Sequence, residues 1–553
     1  MTSKLKLIGI IVAALLLGGC QQKLSNSKQA SDSKGVMSQN QNVTVVEQTR
    51  LNTVDISKVS SFNKLRSSTE GLFRLGNNGR VNNGLAQSYR ISKNAKTYTF
   101  KLRNNARWSN GQPITASDFV YSWQRSVNPQ TRSVNSNLFD GIKNADKIRK
   151  GELKASRLGV KALSNHELQV TLEHPMVYFE TMLAYPLFAP QHRATVQRYG
   201  SAYGASANKQ IYSGPFKLVK WHANSASRTL VPNPYYWDKS HVYLKRLTIV
   251  TSKSPSQDLK AYQKNKVAEI QLIGKQIPEN KNNPDYVVRP FSLMRIIAYN
   301  FNTSETTNKK LINNRNARLA ISHAISRRQL INNALQNASL PPKGFVTAGL
   351  SKNNLNHSDF ANQQEASSYV KGNVKSAATE WATAKRQLNG RNFKLTLVTP
   401  NDVNSVRVAK NIKTQLESKL TGLTVKVVSL DSTHLTTRIS HGQFDLLLTG
   451  WGADYPDPLS FLQAMTSNSR HNYGRWHDAT YDHLVDIISN NQSTNNQLRW
   501  GQMLTAEKRL TQQQGVTPLY QQADSFLTNP KLNGVVHNIS GVVEDYKSAY
   551  WVK

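Results

Sequence analysis

One cysteine and one long apolar run bound what this chain can fold into, and the two lie side by side. Leu7 to Leu17 is the apolar run, and Cys20, the single cysteine, follows it after two glycines. Beyond that point no stretch approaches the ~18 apolar residues that a bilayer-spanning helix needs, which excludes a multispan channel or transporter. A lone thiol excludes an intrachain disulfide framework and any structural zinc site built on two or more thiolates. The fold must therefore rest on an apolar core. With 553 residues, 38% of them apolar and 19% charged, the chain has the material for one, spread over two to four domains.

Lys4 and Lys6 before the run, and Gly18-Gly19 after it, give the charged, apolar and small-residue order of a secretory signal over residues 1–19. Leu17-Gly18-Gly19-Cys20 resembles the lipobox of bacterial lipoproteins. The resemblance implies cleavage before Cys20, lipidation of its thiol, and attachment to the outer face of the bacterial cell membrane. A two-chain anchor suffices for stable attachment at ~0.8 kcal/mol per buried methylene. Residues 20–42 are rich in Ser, Gln, Asn and Lys, too polar to offset their ordering entropy, and read as a flexible tether.

Lys and Arg number 71 against 33 Asp and Glu, a net charge of +38, or about +36 without the first nineteen residues. The charge is dispersed. Basic runs stop at pairs such as Lys309-Lys310 and Arg327-Arg328, and no nucleic-acid-binding motif is present. For an exported chain, anionic phospholipids or cell-wall polymers are the better-matched partners, beside the plain reading of a solvated basic surface.

Motifs for catalysis are missing. No P-loop, Gly-x-Gly-x-x-Gly or Gly-x-Ser-x-Gly occurs. His166-Glu167 opens like a zincin motif, but Val170 stands where its second histidine belongs. His471, His477 and His483 are spaced by six, about 240° apart on a helix, and read as surface residues. The expectation is a binding protein with no metal and no cofactor.

Local patterns place several elements. Alternation predicts strands at Tyr98–Leu102 and Leu168–Leu172. Trp108-Ser109-Asn110-Gly111 supplies a turn, Thr115 and Asp118 a capping box, and Phe119, Val120, Trp123 and Val127 one face of the helix that follows. Lys394–Val398, a helical pattern over 403–420 (Val406, Ile412, Leu416, Leu420) and Thr424–Leu430 form a strand–helix–strand parallel crossover. A third strand at Phe444–Leu448 leads into a loop at 450–456. Ligands of open α/β sheets bind beyond the carboxyl ends of strands, so this loop is the first candidate site. Gly450 and Gly452 allow close backbone approach, Trp451 offers an apolar face, and Asp454 is a carboxylate in a cationic protein. Two readings of Asp454 stay open. It receives an ammonium group, or it pairs with a neighbouring arginine or caps the next helix.

Five segments, in order, resemble the extracellular solute-binding family 5, the OppA-like oligopeptide-binding lipoproteins of ABC importers. They are Trp108-Ser109-Asn110-Gly111-Gln112-Pro113-Ile114-Thr115-Ala116-Ser117-Asp118-Phe119-Val120-Tyr121-Ser122-Trp123; Ser213-Gly214-Pro215-Phe216-Lys217-Leu218; Asn233-Pro234-Tyr235-Tyr236-Trp237-Asp238; Asn316-Ala317-Arg318-Leu319-Ala320 on to Arg327; and Gly450-Trp451-Gly452-Ala453-Asp454-Tyr455 on to Phe461-Leu462. The resemblance implies an α/β, two-lobed periplasmic-binding-protein-like fold (type II, cluster C) with an extra third domain. Lobe I would comprise 43–72, 186–288 and 524–553, the extra domain 73–185 and lobe II 289–523. Peptides would lie extended between the lobes, hydrogen-bonded like an added strand, for delivery to ABC permease subunits by a monomeric carrier. By the same resemblance Asp454 matches the aspartate that holds the peptide's α-ammonium, Trp451, Gly452 and Tyr455 lie along the cleft, and Arg438 sits near an arginine that meets a peptide carboxylate. Two positions depart from one well-known member: Leu448 replaces a second basic residue, and Ser60 a cleft glutamate. The alternatives keep the fold with a nickel chelate, haem, sugar or signalling peptide as ligand, or make the chain a basic surface adhesin.

Overall fold

The computed structural model describes residues 35–490 and 496–553. The signal at 1–19, Cys20 and residues 20–34 of the expected tether lie outside the described residues. The rest of that tether is docked on the body. Ser38 N donates to Trp551 O at 2.8 Å, Lys553 N to Val36 O at 3.0 Å, and the buried Gln41 amide bonds Trp551 on both its oxygen and nitrogen. A polar segment is ordered here because the last strand supplies its backbone partners.

Strand β1 (Asn42–Glu47) opens a ten-stranded mixed sheet. The chain then leaves to build the extra domain, whose four-stranded antiparallel sheet comprises β2 (Ala86–Ile91), β3 (Thr97–Leu102), β4 (Val160–Ser164) and β5 (Glu167–Thr171) in the order β2-β3-β5-β4. Helix α1 (Ala116–Val127) begins as the sequence predicts: Thr115 N donates to Asp118 Oδ2 at 2.8 Å. It buries Phe119, Trp123 and Val127, and its Arg125 forks onto Asp55 at 2.7 and 2.8 Å, binding the extra domain to the segment after β1. The expected turn at 108–111 is present, with Gly111 at φ 90° and its N–H on Trp108 O.

The chain returns to the large sheet with β6 (Phe216–Lys220), β7 (Ser227–Pro232), β8 (Arg246–Thr251), β9 (Glu269–Leu272) and the long β10 (Tyr286–Tyr299). The second half brings β11 (Phe393–Pro400), α2 (Val403–Lys419), β12 (Leu423–Leu430), α3 (Ser432–Ser440), β13 (Leu446–Gly452), α4 (Ala479–Asn490), α5 (Asn496–Gln512) and the long β14 (Val516–Thr528). The strand order is β12-β11-β13-β10-β14-β9-β1-β8-β7-β6.

The crossover β11–α2–β12 is parallel, with Phe393 opposite Leu423 through Pro400 opposite Leu430. Its helix turns Val408, Ala409, Ile412 and Leu416 inward and leaves Val406 half-buried, a rotation of the expected face. The third strand starts two residues later than expected. Asp445 is taken up by Thr303, Asn308 and the Thr396 N–H, so 444–445 form a clamp rather than a strand. It also runs further: Gly450, Trp451 and Gly452 pair with Arg295, Met294 and Leu293 of β10, so the expected loop begins only at Ala453.

Among the described residues, only β10 and β14 serve both halves of the large sheet. Tyr286–Pro290 pairs with Leu527–Ala523 on one side, Met294–Ala298 with Gln521–Val516 on the other, and the register breaks between Pro290 and Met294. Separate apolar cores fill the halves, one around Val43, Phe216, Leu247 and Tyr546, the other around Ile297, Leu397, Ile412 and Leu448.

Candidate functional site

The segment after β13 is fixed from several directions. Ala453 N donates to Ser292 O on β10 at 2.9 Å. Ser460 accepts the Trp451 indole N–H on its carbonyl at 2.8 Å, and the Asp454 N–H on its hydroxyl at 2.7 Å. Tyr455 donates its hydroxyl to Gln463 at 2.7 Å. Asp457 accepts a two-pronged bond from buried Arg499 at 2.7 and 2.9 Å, and also caps the following turn through Leu459 N. The pairing-and-capping role weighed for Asp454 thus belongs to Asp457, three residues on.

That leaves Asp454 different in kind. Among the described residues its carboxylate has no hydrogen-bond or ion-pair partner. Burial pushes its pKa up to about 6, an effect that the more distant Arg470 guanidinium reduces but does not cancel. The carboxylate faces a cavity of about 710 Å³ walled by Leu138, His174 and Tyr178 of the extra domain and by Tyr455, Gln463 and Val485. An adjoining cavity of about 340 Å³ adds Trp451, Arg470 and His471. An under-solvated anion facing a cavity is suited to a cationic ligand group, since charge-assisted hydrogen bonds are the stronger kind.

Trp451, Asp454 and Tyr455 therefore come together. Gly452 lies beside them in strand β13, where a Cβ would meet Ser292 O at 3.4 Å, an ordinary contact. Gly450 is the tight position, with Met294 O and Arg295 Cδ at 3.0 Å, so the close approach is strand to strand rather than to a ligand. Arg438 stands apart. It is half-buried near the end of α3, its Nε bonds Gln443 O at 2.8 Å, and it lines neither cavity.

Sequence reasoning missed three residues. His471, read as a surface residue, is half-buried against the Trp451 ring with centroids 4.4 Å apart. His477 and His483 are exposed, and His471 does not meet them: no metal-holding cluster of three or more ligands occurs among the described residues. Arg470 supplies the positive field at Asp454. Arg295 on β10 reaches Gln522 at 3.1 Å with its Nε buried and unbonded. None carries a local signature, because each partner lies sixteen or more residues away in the sequence.

Two half-sheets joined by two shared strands, with an extra domain walling the cavities at the edge of one of them, define a two-lobed solute-binding protein. The sequence profile of bacterial extracellular solute-binding proteins, family 5 Middle, matches residues 80–473. The chain belongs to that family, whose members bind solutes and are not enzymes. It is 29% identical to the dipeptide-binding protein of Lactococcus lactis subsp. cremoris (strain MG1363) over 99% of both chains. It is 25% identical to the oligopeptide-binding protein OppA of Bacillus subtilis (strain 168), covering 98% of this chain and 97% of that one. The structure of Listeria monocytogenes OppA bound to peptide superposes with a TM-score of 0.78 at 30% identity, over 93% of this chain and 100% of that one.

Proposed function

We propose that this chain is the peptide-binding component of an ABC importer, taking peptides between its lobes and presenting them to the membrane permease. The observation that carries the reading is Asp454: an unpartnered carboxylate held at the wall of a cavity, in a protein with a large excess of cations. A free peptide's α-ammonium supplies the missing partner, and its burial there replaces water by a charge-assisted bond. The names of the relatives, dipeptide- and oligopeptide-binding, support the same ligand class. Extended peptide would run from Asp454 along Trp451 and Gly452. Arg438, expected at the carboxylate end, has less support, since it lies on an exposed helix.

We also propose attachment to the outer face of the cell membrane through a lipid on Cys20, on the strength of the Leu17-Gly18-Gly19-Cys20 pattern. Native mass spectrometry of the chain from Gly35 onward, purified without refolding, tests the ligand class. A ladder of bound short peptides is expected. An empty protein that also gives no thermal shift with a peptide library would overturn the reading.

A further inference from the structure

Two cavities open along the seam between the extra domain and the second half of the sheet. The 710 Å³ cavity lies on one side of a close contact, and a cavity of about 630 Å³, walled by Val177, Lys352, Leu355 and Trp500, lies on the other. Tyr178 lines both cavities and stands between them. Its ring lies flat on that of Tyr455, with centroids 3.9 Å apart and planes 9° from parallel. Among the described residues this is the one ring–ring contact across the seam. A long hydrogen bond from Arg470 to Asn137, at 3.4 Å, accompanies it.

Each ring is presented by a rigid support. Tyr178 precedes the short helix Phe179–Met182, whose Phe179 and Met182 are sunk in the extra-domain core, with Phe179 edge-on to Tyr98 at 5.0 Å. Tyr455 is held by Gln463 on its hydroxyl and by the Asp457–Arg499 pair two residues on. It directly follows Asp454. Both rings are buried, at 8% and 7% exposure, although open volume lies at either side of the contact. Their burial therefore depends on each other. Separating the two walls would wet both faces and leave the segment carrying Asp454 with one support fewer.

We infer that Tyr178 is a positioning residue for peptide capture: by stacking on Tyr455 it latches the seam and fixes the adjacent Asp454 carboxylate against the ligand. The inference rests on the peptide-binding reading above. A stack of this kind contributes roughly two- to twelvefold to an equilibrium constant beyond its buried area. Among variants of one binding interface, most of the change in affinity falls on escape rather than on entry.

The test is stopped-flow binding of a defined mixture of tri- to hexapeptides, free-amine and N-acetylated, to the full binding protein and its variants. Tyr178→Ala is expected to raise the dissociation rate about tenfold with the association rate changed less than twofold. Tyr178→Phe, which keeps the ring, is expected to restore it to within twofold of the parent. Should alanine lower the ligand-free melting temperature, Tyr178→Leu supplies apolar bulk without a ring and must show the same rise in dissociation. In a double-mutant cycle with Tyr455→Ala, the two effects should be less than additive by threefold or more. Unchanged dissociation in Tyr178→Ala, or strict additivity, overturns the latch while leaving peptide binding standing. A parent protein that binds neither peptide set removes the peptide reading and the latch with it.

Discussion

Asp545 and Asp454 are both withdrawn from water, and their surroundings treat them in opposite ways. Asp545, near the C-terminus, is 2% exposed, with Arg74 bonding both its oxygens at 2.8 and 3.1 Å and Arg66 at 3.3 Å. Arg74 also holds Glu70 at 2.5 Å, and Glu70 takes the Tyr236 hydroxyl at 2.8 Å. Burial alone would raise the Asp545 pKa, but Arg74 and Arg66 outweigh it and hold it below the ordinary carboxylate value. At Asp454 burial meets no close cation, and the pKa rises to about 6. The first carboxylate is completed by its own chain and ties the C-terminal segment to the start of the extra domain. The second is left to be completed by something that arrives, and the fold carries the desolvation cost of holding it ready.

The contrast predicts a separation of binding from stability. Asp454→Asn should weaken free-amine peptides by a hundredfold or more and N-acetylated peptides by less than threefold, read by calorimetry; equal losses would remove the anchor role. Asp545→Asn should do the reverse. Buried Arg66 loses its carboxylate partner and Arg74 keeps only Glu70, at a cost of about 3–5 kcal/mol, while any protein that still folds keeps its peptide selectivity. Thermal melts beside binding isotherms check both halves.

Acid sharpens the comparison. Folded Asp454 keeps its proton up to about pH 6, whereas the unfolded chain releases it near pH 3.9. Between those values the native state binds more protons, so ligand-free protein gains stability from this group as pH falls from 7 toward 4, on the order of 2–3 kcal/mol. Asp545 has the opposite sign. Its stabilisation is present above its ordinary value and is lost as pH falls below it. A pH series of melts should show a rise between pH 7 and 4 that Asp454→Asn reduces without removing, because burial raises Asp140, Glu507 and Glu544 in the same direction, followed by a collapse at lower pH that the variant leaves in place. Free-amine peptide affinity should fall over the same upper window as Asp454 protonates. The smallest effect belongs to Arg438→Gln, which should change affinity less than threefold. A tenfold loss confined to peptides with a free carboxyl terminus would bring Arg438 into the cleft.

Sequence and structure agree where the determinants are local. Thr115 and Asp118 signal their helix because capping needs only a three-residue reach, and the β11–α2–β12 crossover is legible because each piece has its own period. The long strands β10 and β14 were not legible. They change neighbours midway, at Pro290–Met294, so no single alternation runs their length. At the candidate site the segment was legible and the division of labour within it was not. Asp454 and Asp457 look alike in sequence. Arg499, forty-two residues away, is what makes one structural and leaves the other free. Tyr178 gave no signal either, since its partner lies in another domain.

The docked segment at 36–41 has a mechanical consequence. Because it pairs with Trp551 and Lys553, the two chain ends leave the body from one patch, on the half of the sheet that contains β1. A pull arriving from the residues before Gly35 is borne by this first-with-last clasp. It does not pass through β10 and β14, where the register breaks. These shared strands stay unloaded, so tension on the N-terminal end would neither open nor shut the seam. A fusion at Lys553, by contrast, would sit at the root of that end and crowd it.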